Sequence, residues 1–201
     1  MKHLKNYKSY KIFENIQTDE EIHELCRKYE ISNYTINEDK SIDVDGSVHL
    51  VGEGLHKLPL KFRNVRGYFD CSFNNLTTLK GAPETVGDNF NCSNNKLKTL
   101  EGSLRRVSGY FDCSWNKNLM SLEGISPTIH GNLYCNGTPF YYFWDNFLNE
   151  DKSLIDSFVE EWDVIHEDTV IIEVLEGWME DNNINIEIDI EKIKSLGYKI
   201  G

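Results

Sequence analysis

Apolar positions return along the middle of this chain about every 21 residues. Around four cysteines the same string recurs: GYFDCSFNNLTTLKGAPETV, then DNFNCSNNKLKTLEGSLRRV, then GYFDCSWNKNLMSLEGISPTI, and last a broken-off GNLYCNGTPF. Cys71, Cys92, Cys113 and Cys135 stand 21, 21 and 22 residues apart, the last step lengthened by Asn118. A degenerate first copy, GSVHLVGEGLHKLPLKFRNV, has Leu50 in the cysteine place. Phe69, Phe90, Phe111 and Leu133 precede the cysteines by two residues, the spacing at which side chains of a strand share a face. Leu76, Leu97 and Leu119 form a further column, Leu79, Leu100 and Leu122 another, and Val86, Val107 and Ile129 another. One turn cannot bury such columns alone, but stacked turns share one core. The pattern predicts an α+β fold built on a leucine-rich-repeat solenoid of about five 21-residue turns, residues 41–140. Each turn is expected to give one short strand, paired in parallel with the next at about 4.8 Å. Gly67, Gly109 and Gly131 precede the strands, where a tight bend is expected, and Asp88 takes that place once. Asn74, Asn95 and Asn116 follow the strands, where buried amides can satisfy backbone groups of adjacent turns.

The flanks read differently. Thr18 with Glu21 is a capping-box pattern, and a helix through about Tyr29 puts Ile22, Leu25, Cys26 and Tyr29 on one face. YTI and SIDV then read as two short strands around NEDKS. Residues 1–40 are thus expected to form an α/β N-terminal cap. After the repeats, Leu154, Ile155, Phe158, Trp162 and Ile165 recur at helical spacing, as do Ile171, Ile172, Val174, Leu175, Trp178 and Met179. NINIEIDI alternates as a strand would, and IEKIKSLG reads as a short last helix. Residues 141–201 are expected to be an acidic, mainly helical C-terminal cap.

Charge separates the same regions. The net charge is −12, with 7 positive and 8 negative groups in residues 1–40, 10 and 9 in 41–140, and 4 and 16 in 141–201. The excess therefore lies in the last segment. No apolar run approaches the roughly 18–20 residues of a membrane span, and MKHLKNYKSYKIFENI lacks the apolar core of a signal peptide. A cytoplasmic location with no membrane partner is the expectation.

Candidate chemistry is sparse. Zinc-type cysteine pairs a few residues apart are absent, and in-register cysteines on parallel strands are poorly placed for bridging, so reduced core thiols are expected. The DVDG at Asp43–Gly46 lacks the glutamate of a calcium loop, since position 52 is Gly52. The six histidines are scattered, and no P-loop, GxGxxG, HExxH or GxSxG occurs. No catalytic residue, metal or cofactor is therefore assigned, and the chain reads as a non-enzyme. A solenoid offers an extended concave face for binding. The candidate protein-binding residues there are Tyr68, Asp70, Phe73, Asn89, Asn91, Tyr110, Asp112, Trp115, Asn132 and Tyr134. Ser72, Ser93 and Ser114 also read as outward. Tyr and Trp favour a protein partner, and the lack of Lys and Arg in these columns speaks against direct nucleic-acid binding.

The repeat N-x-L-x-x-L-x-G-x-P-x-x-V-x-G-x-F-x-C-S-x-N resembles the short bacterial leucine-rich repeats. It is most similar to an uncharacterised bacteriophage family sharing the lead-in YTINEDKSIDVDGSVHL, then LPLKF, the cysteine-centred repeats and an acidic end near GYKI, over roughly residues 20–200. The resemblance implies phage origin and a host-cell cytoplasm, and brings no activity with it. Bacterial effector ubiquitin ligases carry similar repeats, but their nucleophilic cysteine lies in a further domain, and no cysteine follows Cys135 here. Three roles follow as expectations. The first is an adaptor or inhibitor gripping a host defence protein. The second is a structural or assembly component of a phage particle. The third is an acidic nucleic-acid mimic that blocks a DNA-binding enzyme.

Overall fold

A computed structural model describes residues 18–201 except 103, 126, 127, 149, 150 and 156; the side chain of Glu160 also lies outside the description. The Thr18 Oγ1 accepts the Glu21 N–H at 3.3 Å and opens helix α1 (Asp19–Lys28). Asp19, Glu20 and Glu21 occupy its first turn and Arg27 and Lys28 its last, so charge opposes the helix dipole at both ends. Ile22 and Cys26 turn inward. The hairpin β1 (Tyr34–Ile36) and β2 (Ile42–Val44) follows, antiparallel as the sequence predicts.

From β2 onward the chain winds as a solenoid of about four stacked turns. Strands β3 (Val48–His49), β5 (Phe69–Asp70), β7 (Phe90–Asn91), β9 (Phe111–Asp112) and β10 (Leu133–Tyr134) pair in parallel, at steps of 21, 21, 21 and 22 residues. The expectation of one strand per turn needs correction. Strands β4 (Phe62–Val65), β6 (Thr85–Val86) and β8 (Arg106–Val107) extend the hairpin into a second ladder in the order β1-β2-β4-β6-β8. A bridge from Val107 to Ile129 continues it. These valines were expected only as a core column. Most of their strands are two residues long, too short for alternation to show. A corner such as Gly87–Asp88–Asn89 separates the two sheets within each turn.

The interior follows the predicted columns. Phe69, Phe90 and Phe111 are buried and stack with ring centroids 5.6 and 5.1 Å apart. Cys71, Cys92, Cys113 and Cys135 are buried free thiols in the adjoining row, and the leucine columns fill the far side. Asn95 shows how the polar backbone is satisfied at the bend. Its Oδ1 accepts the Leu76 N–H at 2.9 Å, and its Nδ2 donates to the carbonyls of Cys71 at 3.0 Å and Cys92 at 3.1 Å. Asn74 and Asn116 repeat the arrangement one turn to either side. Each amide thus ties two turns together. The strand-preceding glycines serve close approach more than bending. A Cβ at Gly131 would lie 2.5 Å from the Gly109 carbonyl carbon, so the backbone of the two turns would have to shift apart there.

The last segment packs on the final turn through helix α2 (Tyr141–Asn146), irregular turns, helix α3 (Ile172–Asp181) and helix α4 (Ile190–Ser195). Strands β11 (Ile165–His166), β12 (Thr169–Val170) and β13 (Lys199–Ile200) make a small third sheet. Phe143, Phe158, Trp178 and Tyr198 are buried together, with Phe158 edge-on to Trp178 at 4.8 Å and Tyr198 edge-on to Phe143 at 5.3 Å. The Tyr198 hydroxyl donates to the Met120 carbonyl at 2.5 Å and Lys152 Nζ to the Ile129 carbonyl at 3.0 Å, tying the segment to the solenoid. Two expectations fail here. The stripe from Leu154 to Ile165 is not one helix but a 3-10 turn (Lys152–Leu154), a π turn (Ser157–Glu161) and the strand β11. NINIEIDI forms no strand among the described residues, since no neighbouring strand reaches it; IEKIKS is helical as expected.

Candidate binding face

The outward side of the β3–β10 sheet collects the ten candidate residues on neighbouring strands and the turns that flank them. What aims them is a small turn after each strand. The Asp70 Oδ1 accepts the Ser72 N–H at 2.9 Å, Asn91 holds Ser93 at 3.0 Å and Asp112 holds Ser114 at 2.9 Å. The bend turns Ser72, Ser93 and Ser114 inward, 2–6% exposed, which corrects their outward assignment. The next residue then takes left-handed backbone: Phe73 at φ 56°, Asn94 at 55° and Trp115 at 61°. Gly52 and Gly137 share the conformation at the two ends of this column, at 72° and 71°. In this conformation Phe73 and Trp115 point away from the core, 63% and 55% exposed. Neither ring is covered by the following loop, although that of Trp115 lies along Gly137, where a Cβ would come within 2.6 Å of it.

The column before the strands is half-buried and locally ordered. Tyr68 bonds through its hydroxyl to the His49 ring, with centroids 4.6 Å apart. Asn89 Oδ1 accepts the Tyr110 N–H at 3.0 Å. Tyr110 meets the ring of Tyr134 edge-on at 5.8 Å, and Asn132 Nδ2 donates to the Tyr134 hydroxyl at 3.0 Å. Burial, then the negative charges of Asp70, Asp112 and Asp88, hold the Tyr110 phenol above its ordinary range, so it stays protonated. The thiols beneath are pushed up by burial, Cys92 and Cys113 far above the ordinary thiol value. They are inert core groups with no thiolate to offer.

A second regularity escaped the sequence reading. The inward columns repeat every turn, but across the turns of β5, β7 and β9 the outward ones repeat only at the second turn. Tyr68, Asp70 and Phe73 reappear as Tyr110, Asp112 and Trp115, and the turn between carries Asn89, Asn91 and Asn94. The signal was present in the text of the repeats and is visible once outward positions are read separately.

The rest of the surface offers less. A cleft of about 1090 Å3 between the solenoid and the last segment is lined by both signs of charge, including Lys98, Lys117, Glu123 and His166. The His166 Nδ1 lies 2.9 Å from Asp163 Oδ2, which raises the imidazole pKa, and both side chains are more than half exposed. Among the described residues no group of three or more His, Cys, Asp or Glu side chains is placed to hold a metal ion, and no helix is long and apolar enough to cross a membrane. No family model, curated protein or solved structure matches this chain.

Proposed function

We propose that the chain is a non-catalytic binding protein of leucine-rich-repeat type that grips a protein partner on the concave, outward face of the β3–β10 sheet. One observation carries the reading: two large aromatic side chains, Phe73 and Trp115, are held outward in left-handed backbone. That conformation costs a bulky residue about 1–2 kcal/mol, and their exposure leaves apolar surface uncovered. Burial of the two rings against a partner would remove that surface from water and offset the backbone strain. Tyr110 and Tyr134 beside Trp115 supply the rigid aromatic area typical of interface anchors. The resemblance to bacteriophage repeat proteins makes a host protein the first partner to seek, with the chain as adaptor or inhibitor.

The test is capture of partners from a host lysate by the intact chain, by the Tyr110→Ala/Trp115→Ala double variant and by the Glu173→Lys/Glu176→Lys double variant. The aromatic changes should cost roughly 2 kcal/mol or more each, as hot-spot residues do, with the melting transition retained. Capture lost on charge reversal but kept in the aromatic variant would assign the contact to the acidic end instead. Recovery of virion proteins alone would favour an assembly role.

A further inference from the structure

The two-turn repeat of the outward residues builds the same seat twice. Each seat has a carboxylate, a tyrosine before it and a large aromatic after it: Asp70 with Tyr68 and Phe73, and Asp112 with Tyr110 and Trp115. The turns pair in register, Phe69 with Phe90 and Phe90 with Phe111, so the seats lie two strand spacings apart, about 10 Å. The first carboxylate is the more engaged, with Asp70 Oδ2 accepting Asn91 Nδ2 at 3.3 Å. The Asp112 Oδ2 has no hydrogen-bond partner among the described residues, and Tyr134 adds a third ring beside it. No lysine or arginine occupies any outward column of this sheet.

We propose, resting on the binding role above, that this face recognises a protein segment bearing two cationic side chains about 10 Å apart, one per seat. A guanidinium or ammonium group would lie against the ring and hydrogen-bond the aspartate, combining cation–π attraction with a charge-assisted bond. In a polyproline II segment, with three residues per turn and a rise of about 3.1 Å per residue, basic residues at positions i and i+3 share one face at about this separation. The intervening asparagines keep the fold without adding charge, so the two seats stay distinct. Asn91 also supplies the control. It makes the same turn contact to Ser93 that the aspartates make to their serines, so aspartate-to-asparagine changes remove charge and leave the turn intact.

The experiment titrates the full chain with acetyl-Gly-Ser-Arg-Gly-Ser-Arg-Gly-Ser-amide and follows backbone amide and indole NMR signals. The expected result is saturable shifts at the two seats, with Kd raised about fivefold by Asp112→Asn and about 25-fold by Asp70→Asn/Asp112→Asn together, each seat contributing roughly one exposed ion pair with a ring contact. An isomer with adjacent arginines should bind more weakly, and Glu173→Gln/Glu176→Gln should leave Kd unchanged. The proposal is overturned if both peptides bind alike, if spermidine competes as well as the spaced peptide, or if shifts follow the acidic end and not the seats. Failure of the cation chemistry stays separable from failure of the binding role. If the asparagine double variant still captures the lysate partner and Tyr110→Ala/Trp115→Ala does not, the face binds but without cationic recognition.

Discussion

The solenoid and the segment that follows it bury similar kinds of side chain by opposite strategies. In the solenoid the bend after β5, β7 and β9 is closed by the same asparagine amide, Asn74, Asn95 and Asn116 in turn. The middle of the core is then a stack of like layers: phenylalanine, cysteine, leucine, valine. In residues 141–201 a cluster of unlike aromatics is closed by three α-helices, a 3-10 turn, a π turn and three two-residue strands. The difference teaches that repetition shares the polar cost of a bend among equivalent residues, whereas a single-use segment must solve each bend separately. It also places failure differently. A solenoid layer has neighbours on both sides, so one defect is felt by two turns.

The sharpest way to break this comparison is at mid-stack. Phe90→Ala empties a site flanked by both Phe69 and Phe111 and should cost about 3–5 kcal/mol, seen as a large fall in the denaturant midpoint; an unchanged midpoint would falsify the layered core. Asn95→Ala comes next. It leaves the buried Leu76 N–H unpaired and takes one of two amide donors from each of the Cys71 and Cys92 carbonyls, which keep Asn74 and Asn116. The expected loss is about 3 kcal/mol, and amide exchange should speed up at Leu76 and Lys96 before it does elsewhere. In the last segment, Trp178→Phe keeps most of the packing against Phe158 but removes the 2.7 Å bond from Nε1 to the Ser157 hydroxyl. A loss of about 1–2 kcal/mol is expected, with the solenoid amides still protected. The smallest effect has the opposite sign. Phe73→Asn places in the left-handed position the residue that Asn94 already is, so stability should rise by about 0.5–1 kcal/mol while partner capture falls.

A chemical probe follows the solenoid and α1 without mutation, since all five cysteines lie there. Burial holds the solenoid thiols protonated, and even Cys26 on α1 is pushed up to about 11. At pH 8 a thiol reagent should therefore find almost no thiolate in the folded chain, and modification should track unfolding. Fast stoichiometric labelling of Cys92 in the native protein would contradict the closed stack.

Much of this architecture is legible in the sequence because repetition acts as its own alignment. The Phe, Cys, Leu and Val columns, the asparagine amides, the Thr18 cap and the first hairpin all follow from spacing and side-chain chemistry. What escapes has a local cause in each case. Ser72, Ser93 and Ser114 alternate as outward strand residues, but the preceding carboxylate or amide captures their N–H and ends the strand before them. The strands at Thr85–Val86 and Arg106–Val107 are too brief to show a period. NINIEIDI has the alternation of a strand, and only tertiary placement decides whether another strand is there to pair with it. Of the candidate face, the columns were readable, but the aim of Phe73 and Trp115 was not, because left-handed backbone at a bulky residue is not written in its identity.

The left-handed column holds five residues of four kinds, Gly52, Phe73, Asn94, Trp115 and Gly137, at nearly one backbone angle. At Phe73, Asn94 and Trp115 its shape is therefore dictated by the turn contact before them and not by the occupant. A position whose geometry is enforced from outside behaves as a socket: its side chain can be exchanged at a cost of about a kilocalorie without disturbing the layers beneath. The outward surface of the solenoid can thus be rewritten one socket at a time while the fold stays as it is.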